Sequence, residues 1–174
     1  MSRADAGFSL VEATVAAAIL VSALAGLAQA VAWTIHVNAG ARASTVAVML
    51  AAAKMERLRS LAYNVDGSGT PETDGSTNTT VDPPAPEGGT GLASSPPDAL
   101  ALNRPGYSDF LDARGEWVGS EAQTASQASL VRRWSVTPAP GDPENSLVLE
   151  VVVASVSGRL ESARLSSVLT RRAR

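Results

Sequence analysis

No charged side chain occurs between Ala13 and Trp33, and that gap constrains the chain more than any other feature. As a helix the span would be roughly 31 Å long at about 1.5 Å per residue, which matches a hydrocarbon core of about 30 Å. Thr14, Ser22 and Gln29 are its only polar side chains, and each can be satisfied within a helical bundle. The pattern predicts a transmembrane helix over about residues 10–33. A cleaved export signal is one alternative, because Ala28-Gln29-Ala30 fits the small-x-small rule of signal peptidase and would leave a chain beginning at Val31. An uncleaved signal anchor is another.

Glu12 argues against both. It places a carboxylate at the edge of the apolar span, where insertion of an acidic side chain costs up to about 2.5–3.5 kcal/mol at mid-bilayer and somewhat less near the edge. A plain export signal gains nothing from that cost, and an intramembrane charge calls for a partner. The residues around it, Gly7-Phe8-Ser9-Leu10-Val11-Glu12, closely resemble the processing motif of type IV prepilins. That resemblance implies cleavage between Gly7 and Phe8 by a prepilin peptidase, with methylation of the new amine on Phe8. It also implies a role in assembly for Glu12. The physical logic is that cleavage creates a cationic amine on Phe8 inside the bilayer, which the Glu12 carboxylate can neutralise, so that two costly charges become one tolerable pair. The sequence departs from the family's habits in two places. Arg3 of the leader is offset by Asp5, so the balance of Arg3 and the chain amine against Arg42 leaves orientation to the motif. The midway proline of many major pilins is absent, with only Gly26 and Gly40 as loosening residues.

Ala18, Ser22, Gly26 and Ala30 recur every four residues. Such a small-residue ridge lets membrane helices approach closely, although an alanine-rich helix also produces the spacing by chance. The helical pattern then continues as an amphipathic segment over about residues 41–62. Val48, Ala51, Met55, Leu58 and Ala62 form its apolar face, while Lys54, Glu56, Arg57 and Arg59 lie largely elsewhere. Glu56 and Arg59 are spaced to pair. The stretch Ala51–Tyr63 is similar to V-type minor pilins and to I-type pseudopilins of type II secretion.

The remainder divides by composition. Residues 63–106 are dominated by Gly, Pro, Ser, Thr and Asp and are expected to form a long loop. Asp66, Glu72, Asp74 and Asp82 within it match no calcium-loop spacing, so no metal site is expected. Residues 107–174 carry the strand signals. Tyr107–Leu111 and Glu116–Val118 flank the turn Asp112-Ala113-Arg114-Gly115; Leu130–Thr137, Leu147–Val153 and Ala163–Thr170 follow, with Pro138–Ser146 as a turn-rich connection. The expected fold is α+β. A leader at 1–7 precedes a long helix at 8–62, whose second half packs on a sheet of about four mostly antiparallel strands. This is also the arrangement that the resemblance implies.

Composition excludes much else. With no cysteine, disulfides, thiolate metal sites and thiol nucleophiles are ruled out. His36 is the only histidine, the formal charge is −3, and no phosphate-binding glycine loop or nucleophile elbow occurs. Neither an enzyme nor a nucleic-acid-binding protein is expected, and no cofactor is implied. The basic tail at Arg171, Arg172 and Arg174 reads as a solvated terminus. The expected function is that of a minor pilin of a type IV pilus, initiating or capping the filament. It would be anchored once in the inner membrane with its head outside, and its partners would be the prepilin peptidase and other pilins. A type II secretion pseudopilin is the alternative within this class, and a secreted binding protein with a cleaved signal is the alternative outside it.

Overall fold

The structure, a computed structural model, describes residues 9–157 and 161–173. The chain is α+β. One helix, α1 (Leu10–Ser60), is followed by strands β1 (Tyr63–Val65), β2 (Pro71–Thr73), β3 (Ser108–Leu111) and β4 (Trp117–Gly119), then by a short 3-10 helix at Ala122–Gln127. Strands β5 (Leu130–Ala139), β6 (Asp142–Ser155), β7 (Glu161–Thr170) and β8 (Arg172–Ala173) complete it. The chain divides within α1 into two compact units, the first ending at Arg42 and the second beginning at Ala43.

In the second unit, five strands form an antiparallel sheet in the order β4-β3-β5-β6-β7. A smaller sheet runs β2-β1-β8, with β1 parallel to β8. Alternation along the large sheet decides its two faces. Trp134, Val136, Leu147, Leu149, Val151 and Val153 join Ala47, Ala51, Met55 and Leu58 of α1 in one core cluster. On the opposite face Phe110, Val131 and Ala154 form a smaller cluster against Ala125, Ala128 and Val156. Alanine at 47 and 51 leaves no bulk between helix and sheet, so the largest core residue, Trp134, comes from the strand side.

Three sequence expectations change on contact with the fold. The buried stripe of α1 starts at Ala47 and passes through Lys54, whereas Val48 is 45% exposed and Lys54 is fully buried. Pro138–Ser146 is mostly strand: β5 and β6 meet in a tight hairpin, with Pro138 opposite Leu147 and Ala139 opposite Asp142. Pro143–Ser146 have no partner in β5, so Pro143 sits in a bulge, where its missing ladder donor costs nothing. The Gly- and Pro-rich segment before β3 carries β1 and β2 near its start and contributes Leu92 and Ala99 to the core. Tyr107 anchors the end of that segment by donating its hydroxyl to the carbonyls of Ala93 (3.0 Å) and Ser94 (3.1 Å).

The β3–β4 turn bears on the helix directly. Asp112 Oδ1 accepts from the backbone N–H groups of Arg114 (2.8 Å) and Glu116 (2.9 Å). Gly115 follows with φ +88°, and a Cβ there would lie 2.9 Å from Leu50 Cδ2 of α1. Only glycine meets both the left-handed backbone and the close approach.

Candidate functional site

In the first unit the site is a helix surface. Ser9 caps α1: its Oγ accepts from the backbone N–H of Glu12 (3.2 Å), and its carbonyl accepts from Ala13 N–H (3.1 Å). Ser9-Leu10-Val11-Glu12 thus has the spacing of a capping box, with an acidic residue in the first turn where the helix dipole favours it. The S-x-x-E pattern is present in the sequence, but the resemblance there points to assembly for Glu12 and leaves the helix cap unread. Gly7 and Phe8, the residues of the expected cleavage, lie outside the described residues.

Beyond the cap, Leu10, Val15, Ile19, Leu24, Val31 and Ile35 are all more than half exposed among the described residues. Three hydroxyls on this stretch are satisfied by the helix itself. Thr14 donates to Val11 O (2.9 Å), Ser22 to Ala18 O (2.9 Å) and Ile19 O (2.9 Å), and Thr34 to Ala30 O (2.8 Å). Such back-bonding lets a hydroxyl enter an apolar medium at little cost. Ala18, Ser22, Gly26 and Ala30 share one helix face by their spacing, and a Cβ on Gly26 would meet nothing within 4 Å. α1 is the one described helix long and apolar enough to span a membrane.

The second unit holds a constellation that sequence reasoning missed. Asp109 of β3 lies opposite Arg132 of β5, and the two form a bidentate pair, Nε to Oδ1 at 3.0 Å and Nη2 to Oδ2 at 2.7 Å. Lys54 of α1 adds a third contact, Nζ to Asp109 Oδ2 at 3.2 Å, and also donates to the carbonyl of Thr79. Its ammonium stands 3.5 Å from the centroid of the Trp134 ring. Lys54, Asp109 and Arg132 are 0%, 1% and 2% exposed. Arg132 reaches further, from Nη1 to Leu50 O at 3.3 Å. Two cations therefore share one carboxylate in a dry core. Burial pulls the Lys54 amine from its ordinary 10.5 down to about 7, with Asp109 opposing that shift and Arg132 reinforcing it.

A signal for this cluster was present. Residues 47, 51, 54 and 58 have the same 4-3-4 spacing that marks any helix face, so a lysine sat on the core stripe once the register moved by one from Val48 to Ala47. Among the described residues no group of three His, Asp or Glu side chains could hold a metal ion. Open space near the core is modest: a cleft of about 530 Å³ lies where the end of α1 meets β7, lined by Glu56, Arg59, Tyr63 and Leu169 among others. No protein-family model, no curated protein and no solved structure matches the chain.

Proposed function

We propose that this chain is a minor pilin of a type IV pilus, a structural subunit that initiates or caps the filament and is no enzyme. The observation that carries the reading is a conjunction. The prepilin-like motif Gly7-Phe8-Ser9-Leu10-Val11-Glu12 leads into a helix whose large apolar side chains, from Leu10 to Val37, lie exposed among the described residues. Apolar surface on that scale is covered by lipid or by other helices. In the proposed sequence of events, the subunit is held once in the inner membrane with its head outside, and prepilin peptidase cuts between Gly7 and Phe8. The methylated amine of Phe8 is then neutralised by Glu12 as the helix joins its neighbours. The small-residue ridge from Ala18 to Ala30 would set how closely those helices approach.

Ala51–Tyr63 also supports a pseudopilin of a type II secretion system, by its similarity to I-type sequences. Retention of the chain in sheared pilus fractions, as opposed to loss of protein secretion on its deletion, separates the two. The reading as a whole is tested by intact-mass analysis after co-expression with a prepilin peptidase. Loss of residues 1–7 and one added methyl group are expected. A mature chain beginning at Val31 would overturn it in favour of an exported protein with a cleaved signal.

A further inference from the structure

The Lys54–Asp109–Arg132 cluster joins three elements, α1, β3 and β5, across the face on which the helix rests. It plays no part in processing or membrane anchoring. The groups around it can be enumerated. From α1, Arg57 also bears on Lys54, and it is itself paired with Asp82 at 2.8 Å. The segment before β3 supplies the Thr79 carbonyl, β3 supplies Asp109, and β5 supplies Arg132 and the Trp134 face. With Lys54 protonated, its three N–H bonds are matched by Thr79 O, Asp109 and the Trp134 ring, yet the cluster has two cations for one anion. With Lys54 neutral, two N–H donors still meet two acceptors and the charges balance.

We propose that this cluster is a proton-operated latch between helix and sheet, tight when Lys54 is neutral and looser when Lys54 takes up a proton. An unbalanced charge in a dry interior is expensive even where hydrogen bonds are complete, and the contact with Trp134 offsets only part of that. The downward pull of burial on the Lys54 amine agrees in direction. The sign follows from linkage. Once unfolded, Lys54 holds its proton up to about pH 10.4, whereas the folded head releases it near pH 7. Between those values the unfolded state binds one proton more, so stability rises with pH. Below that window both states are protonated and the dependence vanishes. Tyr107, whose hydroxyl is pushed upward by burial, acts in the opposite sense, lowering stability as pH rises at the top of the window.

The composition supplies the probe, because Lys54 is the only lysine in the chain. Full-length protein in detergent, labelled with 13C at lysine Cε, should give one lysine signal to follow from pH 5 to 11. A midpoint at least two units below 10.4 is expected; a midpoint at 10 or above overturns the latch. As the second arm, urea titration of the same protein by tryptophan fluorescence should show the folding constant rising about tenfold per pH unit between pH 7.5 and 9.5. Lys54→Met should abolish that rise. If the rise persists in Lys54→Met, another group drives it and the proposal fails. Should Lys54→Met not fold, the signal of the wild-type lysine still decides.

Discussion

Replacing Asp109 with asparagine tests the buried cluster most severely, because the change keeps size and removes only charge. Asp109 accepts three charge-assisted bonds, at 2.7, 3.0 and 3.2 Å, from groups no more than 2% exposed. With asparagine there, Arg132 and Lys54 face each other without an anion, and the new amide N–H₂ points at donors. Breaking one side of a buried pair typically costs about 3–5 kcal/mol, mostly from the uncompensated charge left behind. Against a whole-domain stability of about 5–15 kcal/mol, that is a third or more. With a urea dependence of about 2 kcal/mol per molar for a head of this size, the midpoint should fall by about 2 M. Lys54→Met is the contrasting variant. It leaves Asp109 and Arg132 as a balanced pair and removes the surplus charge, so at pH 7 it should change stability by no more than about 1 kcal/mol in either direction. Urea titration of full-length protein in detergent, followed by tryptophan fluorescence, reads both. A loss below about 1 kcal/mol for Asp109→Asn would refute the argument, because it would mean that water already reaches the cluster.

Glu12→Ala and Glu12→Gln should both retain membrane fractionation yet fail to co-purify with partner pilins; capture equal to wild type would remove the charge-pair role proposed for Glu12. Gly115→Ala should lower the urea midpoint through a strain of about 1–2 kcal/mol at a left-handed position, augmented by the contact with Leu50, and an unchanged midpoint would show that the turn relaxes freely. A chain lacking residues 1–34 should be a soluble monomer with strand signal in circular dichroism, since the core from Ala47 onward is complete within its own unit.

The fold was legible where periodicity was strong. The β-branched run at the end of Leu147–Val153 announced β6, and the uncharged stretch after Glu12 announced a long apolar helix. Legibility failed where one residue of register or one long-range pairing decided the outcome. Val48 and Ala47 are both apolar, and only the tertiary packing selects Ala47, which joins the core cluster while Val48 stays 45% exposed. Pro138 and Pro143 read as loop because prolines lack a ladder donor, yet they fall at the hairpin end of β5 and β6 where that donor is dispensable. Lys54 is the most instructive case. A helical lysine is solvated by default, and nothing local reveals that Asp109 and Arg132, far along the chain, will meet it. The expectation for Gly7 and Phe8 rests on the resemblance alone, and both lie outside the described residues.

The burial of Lys54 also shapes how this protein can be studied in its assembled state. Primary amines are the usual handles for surface labelling and crosslinking, and the folded head offers none from a lysine side chain. Amine-directed crosslinkers applied to the proposed filament would therefore pass over the head, and a negative result would carry no information about contacts. The same blindness becomes useful when inverted. A lysine-specific protease has a single site in the whole chain, hidden beneath Trp134, so cleavage at Lys54 counts molecules in which the helix has come away from the sheet.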